Sequence, residues 1–158
     1  MITKTLAATT MESLDEIDRR ILALLQAEGR LTGAELGRRV GLSQPAASAR
    51  VQRLEKTGVI TGYRAVVDPA KLGLGITAHI RLRISHAQLE QALALASRTS
   101  DITAIRRVTG EDCLLCDVHC SDARRLETII DSLARFGPVT TALVLHDYSA
   151  RALTPAEE

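Results

Sequence analysis

The chain has 158 residues, 46% of them apolar, enough for one medium domain or two small ones with real cores. No apolar run reaches the roughly 18 residues of a membrane helix, and MITKTLAATT lacks the apolar stretch of a secretory signal, so the cytoplasm is the expected compartment. Net charge is only +1, yet Ser13–Val67 carries nine Lys/Arg against six Asp/Glu and Ile76–Asp147 eight against nine, so an anionic ligand is expected on the N-terminal half.

The first predicted element is a helix in SLDEIDRRILALLQAEGR, where Leu14, Ile17, Ile21, Leu24 and Leu25 recur at helical spacing. Ser13 and Glu16 form a candidate capping box, and Gly29 closes the run. LTGAELGRRVG predicts a short second helix, with Thr32 as cap, Glu35 three residues on and Gly41 as stop. A third helix follows, with Ser43 as N-cap, Pro45 in the first turn and Gly58 at its left-handed end. Two helices joined by a three-residue turn containing glycine are the signature of a helix-turn-helix.

The faces of the third helix point to a function. Ala47, Val51 and Leu54 make a narrow inward stripe, while Ser48, Ala49, Gln52, Arg53 and Lys56 face out. Small residues from Pro45 to Ala49 let the backbone approach a major groove, with Gln44, Ser48 and Gln52 offered to base edges, Ser43 at the helix start, and Arg53 and Lys56 set against phosphate. Arg50 lies at the stripe's margin, where either DNA or an acid of helix one, Asp15 or Asp18, can take it. VITGYRAVVDP then predicts a β-wing or a strand running into a linker. Duplex DNA is favoured over single strands, because base-stacking readers need aromatics and the chain has only Tyr63, Phe136 and Tyr148.

From Ile76 the period changes to two: Ile76, Ala78, Ile80, Leu82 and Ile84 alternate with Thr77, His79, Arg81 and Arg83. A helix opened by Ser85 and Gln88, a strand ITAIRRVT, the Gly110-Glu111 turn, the strand CLLCDVHC, a helix capped by Ser121 and a last strand VTTALVLHDY follow. The order β-α-β-β-α-β predicts a ferredoxin-like fold, so the expected class is α+β, with residues 12–67 a winged helix-turn-helix domain, 68–75 a linker and 76–150 the second domain.

CLLCDVHC holds all three cysteines and one histidine, but a strand sends Cys116 and Cys120 to one face and Cys113 and His119 to the other. With no second Cys/His group to complete a tetrahedron, no metal site is expected. No nucleophile, base and orienter stand together, so neither an enzyme nor a cofactor is indicated. The sheet face without helices is expected to interleave Ile or Leu with Arg, Asp and His, and a second subunit is its expected cover. Twofold pairing would also set two recognition helices about one DNA turn (~34 Å) apart.

The stretches LDEIDRRILALLQAEGR, LTGAELGRRVGLS, RVQRLEKTGVITGY, DPAKLGLG and VTGEDCLL, in this order and spacing, resemble the Lrp/AsnC, or feast/famine, transcription regulators from Leu14 to about His146. The resemblance implies a winged helix-turn-helix joined to a ligand-sensing ferredoxin-like domain, assembled as homodimers that build tetramers or octamers. Amino acids or related metabolites would bind between subunits and shift DNA binding. In many members the turn after the second strand reads G-D-x-D, with an acid for an effector's ammonium group. Here Gly110 and Glu111 match its first two positions, Asp112 comes one place early and Cys113 takes the acidic place. The effector pocket is therefore expected to comprise Gly110, Glu111, Asp112 and Cys113 with Thr140 and Thr141 of the final strand.

Overall fold

The computed structural model describes residues 14–148 and 151–154, which divide into two compact units. The first contains three helices, α1 (Glu16–Ala27), α2 (Gly33–Val40) and α3 (Gln44–Lys56). Ser13 lies outside the described residues, and the N-cap of α1 is Asp15, whose side chain and that of Asp18 close a reciprocal capping box. Aspartate serves here because its carboxylate reaches the N3 amide, satisfying a donor that the helix leaves unpaired. Thr32 caps α2 and Ser43 caps α3, as their sequence positions predict. Glu35 does not answer Thr32; its carboxylate turns to Arg38 and Arg39 instead.

Ile21, Leu36, Val40 and Leu54 form this unit's buried centre, ringed by Leu14, Ile17, Leu25, Val51, Val59 and Ile60. Gly41 adopts φ 76°, a left-handed turn residue that ends α2 and redirects the chain into α3. The expected wing strand is absent among the described residues: 59–68 carry no ladder, and the Ile60 amide, bonded to Leu54 O at 2.9 Å, and the Tyr63 hydroxyl, bonded to Glu55, tie the segment to α3. Residues 151–154 cluster with this unit, where the Gln26 amide bonds both the carbonyl and the N–H of Leu153, at 2.9 and 2.8 Å.

The second unit begins with a 3-10 turn at Pro69–Leu72, then runs β1 (Ile76–Leu82), α4 (Leu89–Arg98), β2 (Ile102–Arg107), β3 (Leu114–Cys120), α5 (Ala123–Ala134) and β4 (Val139–Leu143). The sheet order is β2-β3-β1-β4, antiparallel throughout, the β-α-β-β-α-β arrangement predicted from the sequence. Ile80 pairs with Cys116 on one side and Thr141 on the other. Ala78, Ile80, Leu82, Leu114, Cys116, Val118 and Cys120 form the buried face under α4 and α5, which contribute Ala92, Ala96, Leu126, Ile129 and Leu133.

Three details differ from expectation. Asp122, not Ser121, caps α5; its Oδ1 accepts from the Arg125 amide at 2.9 Å, and Ser121 Oγ donates to the same aspartate at 2.7 Å. A 3-10 turn at His86–Gln88 precedes α4, and Ser85 bonds the Gln88 side chain rather than the helix backbone. The last strand stops at Leu143, one ladder bond short of Val144, whose amide still reaches Thr77 O.

Candidate functional site

Alternation places Thr77, His79 and Arg81 of β1, Ala104 and Arg106 of β2, Leu115, Asp117 and His119 of β3, and Thr140 and Ala142 of β4 on the sheet face without helices. The expected interleaving of Ile or Leu with charge is not what this face holds: Leu115 and two alanines are its apolar content, because every Ile and every other Leu of the strands faces the helices or the sheet edge. A polar lattice fills it. Asp117 accepts from Arg106 Nη1 at 2.7 Å and lies 3.0 Å from His79 Nδ1, while His119 Nδ1 lies 3.1 Å from Thr77 Oγ1. Burial pulls the Asp117 carboxyl upward, but its bonds to Arg106 and His79 outweigh that and hold it below the usual carboxylate range.

At one end of this face stands the turn expected to meet an effector. Glu111 pairs with Arg83, and Asp112 lies 3.8 Å from Arg81. Arg81 is in turn opposite Thr140, so Asp112 of the turn, Arg81 of β1 and Thr140 of β4 lie in a row. Thr141 is paired with Ile80 and therefore sits on the opposite sheet face, which removes it from the group as the sequence assembled it. Cys113 also turns away: its amide bonds Leu82 O at 2.9 Å and its Sγ donates to Ile84 O at 3.2 Å. Gly110, at φ 112°, supplies the bend. Arg81 and Arg83, which sequence reasoning left out of this group, were legible as outward residues of the alternating run from Ile76, although Arg83 lies just past the end of β1.

In the first unit the structure sorts the α3 residues into flanks. Ala47 and Leu54 are buried beneath the helix, and Pro45, Ala46, Ala49, Gln52 and Lys56 are exposed. Gln44 and Ser48 lie on the flank that meets α2, because a β-carbon at Gly33 would touch Ser48 Oγ at 2.6 Å and Gln44 Cγ at 3.6 Å. Ser48 and Gln52 also line a shallow cleft of about 280 Å³ floored by Leu25, Leu31, Leu36 and Val51. Tyr63 closes its rim, donating to Glu55 at 2.9 Å; burial first, and that bond second, push its hydroxyl up to about 12.

The other flank carries the arginines. Arg50 Nη1 donates to Asp15 Oδ2 at 2.6 Å and to Asp18 Oδ1 at 2.9 Å, the two acids of helix one that the sequence offered it. Arg53, expected against phosphate, has its Nη2 2.5 Å from Asp18 Oδ2. The outward angle of Arg53 on a helical wheel concealed this, since a long side chain can fold back along its own helix to a buried acid. Lys56 and Gln52 make no ion pair or side-chain bond among the described residues, and Ser43 Oγ is engaged as the helix cap. Among the described residues no three His, Cys, Asp or Glu side chains converge as a metal site, and no helix is long and apolar enough to cross a membrane.

Residues 14–61 match the winged helix-turn-helix DNA-binding family, and residues 77–153 match the Lrp/AsnC ligand binding domain. The chain is 38% identical over 136 residues to the HTH-type transcriptional regulator YezC of Bacillus subtilis, covering 86% of this chain and 96% of that one. It is 34% identical over 131 residues to the HTH-type transcriptional regulator LrpA of Mycobacterium tuberculosis, covering 82% and 87%. A transcriptional regulator of Neisseria meningitidis, solved as an L-Met complex, matches with a TM-score of 0.82 at 28% identity, over 90% of this chain and 97% of that one. A DNA-binding helix-turn-helix followed by this ligand-binding domain, at these identities and over this share of the chain, means that the protein belongs to the Lrp/AsnC family of transcriptional regulators.

Proposed function

We propose that this protein is a cytoplasmic, homo-oligomeric regulator, not an enzyme, whose grip on specific duplex DNA responds to an amino acid or related small metabolite. Residues 12–67 are the DNA-reading domain, 68–75 the linker and 76–150 the sensor. The observation that carries the reading is the slender exposed side of α3, where Pro45, Ala46 and Ala49 leave room for a groove floor beside Gln52 and Lys56. Gln44, Ser48 and Gln52 read base edges, Lys56 meets phosphate, and Ser43 orients the helix start. Arg50 and Arg53 support the reading helix from the side of helix one.

The sensor binds its effector at the Gly110–Cys113 turn, with Asp112 and Arg81 supplying opposite charges for a zwitterion and Thr140 a hydroxyl beside them. The Neisseria relative's L-Met supports an amino acid as the class. A second copy of the chain covers the polar sheet face, forming a dimer that assembles further to a tetramer or octamer. Two copies of α3 then engage paired half-sites, and the dimer multiplies a weak single-helix affinity.

Binding of a duplex from the gene's own upstream region, compared with a scrambled duplex across salt concentrations, tests the DNA reading: equal affinity for both at every salt defeats it. A thermal-shift screen of the common amino acids, L-methionine first, tests the effector, because a ligand that binds only the folded state raises the melting temperature by mass action.

A further inference from the structure

Asp18 is the one charged side chain buried among the described residues, at 1% exposure, and it belongs to α1, outside the helix-turn-helix proper. Capping α1 is the lesser part of its work. Its Oδ2 accepts the Asp15 amide at 3.2 Å, but the same carboxylate also takes Arg50 Nη1 at 2.9 Å and Arg53 Nη2 at 2.5 Å. Asp15, half exposed, takes a further bond from Arg50. Among the described residues two acids of α1 thus face two arginines of α3.

The two arginines are three residues apart, so they leave α3 on the same flank. Tethering both to one immobile acid sets the rotation of α3 about its own axis against α1. That rotation decides which residues are outermost, and here they are Pro45, Ala49, Gln52 and Lys56. The arginines remain 29% and 40% exposed, near enough to solvent to reach a phosphate if released. A guanidinium already neutralised by carboxylate displaces little of the counterion atmosphere on DNA, whereas a released one adds about 0.9 to the salt slope.

We infer that Asp18 is a positioning residue for DNA recognition: it fixes the roll of α3 and withholds two guanidinium charges from the phosphates, favouring base readout over indiscriminate binding. This rests on the DNA-binding reading above.

The test uses the full chain, with the upstream duplex and the scrambled duplex, between about 50 and 200 mM salt. Asp18→Asn places an amide N–H against the arginines and releases at least one, so the slope on scrambled duplex should steepen by about 0.9 to 1.8. The upstream-to-scrambled affinity ratio should fall by about tenfold. Asp18→Asn with Arg53→Gln should remove Arg53's share of the steepening, about 0.9, and Arg53→Gln alone should flatten the native slope by less than about half of 0.9. A full flattening of about 0.9 in Arg53→Gln makes Arg53 an ordinary phosphate contact and overturns the inference. So does an Asp18→Asn protein that loses affinity on both duplexes alike with an unchanged slope, the mark of a merely structural acid. If Asp18→Asn melts below the assay temperature, the Arg53→Gln slope alone decides. A native protein that fails to distinguish the two duplexes removes the DNA reading itself, whereas a discriminating native protein with the overturning variant behaviour removes only the inference.

Discussion

The Ser48 hydroxyl of α3 stands 2.6 Å from where a β-carbon at position 33 of α2 would lie, so Gly33 leaves the room that the Ser48 side chain occupies where the two helices cross. Further along α2, a β-carbon at Gly37 would meet the Leu42 carbonyl oxygen at 2.7 Å and the Ser43 carbonyl at 3.3 Å. The two glycines serve the same crossing, but what each would strike differs. Ser48 can rotate its hydroxyl away; the turn backbone has nowhere to go, since the Leu42 amide is held by Gly37 O at 2.8 Å. Gly33→Ala should therefore cost under about 1 kcal/mol, partly offset by alanine's helix preference. Gly37→Ala should cost about 1–3 kcal/mol as an overpacked contact. Urea unfolding of both variants measures the difference, and equal costs would contradict this account of the crossing.

Readout and grip should separate on α3. Lys56→Ala is expected to weaken binding to every duplex and to reduce the salt slope by about 0.9, the share of one phosphate contact. Gln52→Ala should leave the slope alone and cost about 1–3 kcal/mol of discrimination at one base pair. Salt titrations on the upstream duplex and a set of single-base variants check both.

Stability should fall in acid through identifiable carboxylates. Bonds to Arg125 hold Asp101 below its usual 3.8, more strongly than partial burial raises it, and Asp117 is likewise held below that value. Hydrogen bonds from Arg38 and then Arg39 lower Glu35 from 4.5 to about 2. A carboxylate lowered by folding stabilises the native state above its unfolded pKa and loses that contribution as pH falls through the folded one. Melting temperature should thus be flat from neutrality to about pH 5 and drop between about pH 4.5 and 2. Asp101→Asn should lower the neutral-pH melting temperature and shrink the acid drop; Glu35→Gln should shrink it only slightly, because its pairs are on the surface.

The thiols should divide two to one. Cys116 and Cys120 are fully buried in the sheet core, and burial, with the nearby Asp117 charge, pushes the Cys116 thiol up to about 11. Burial pushes Cys120 up as well. Since the thiolate is the reactive form, iodoacetamide at mildly alkaline pH should modify at most one site per folded chain, at half-buried Cys113, and all three after denaturation. Rapid labelling of Cys116 in the folded protein would place β3 wrongly.

Much of the fold was legible because its signals are local. The caps at Thr32 and Ser43, the left-handed Gly41 and Gly58, and the period-two pattern from Ile76 all act within a few residues of themselves. The alternation of CLLCDVHC placed Cys116 and Cys120 correctly on the buried face, whereas Cys113 lies before the strand and packs against the core instead of on the outer face. Caps were misassigned where more than one candidate was close by: Asp15 caps α1, Ser13 lying outside the described residues, and Asp122 rather than its neighbour Ser121 caps α5 because it is the side chain that reaches the N3 amide. Thr140 and Thr141 were grouped by adjacency, although neighbours on a strand cannot share a face.

By itself, then, the amino-acid order determined which segments are helix or strand, which stripe of each is apolar, and hence a helix-turn-helix followed by a four-stranded sheet. Only the packed chain decided that Arg53 lies against Asp18, 35 residues away, and that Arg81 and Arg83 face the acids of the 110–113 turn. The reason is range. Backbone geometry and hydrophobic period are written in near neighbours, whereas a long charged side chain chooses among partners that become neighbours only after the helices and strands have come together.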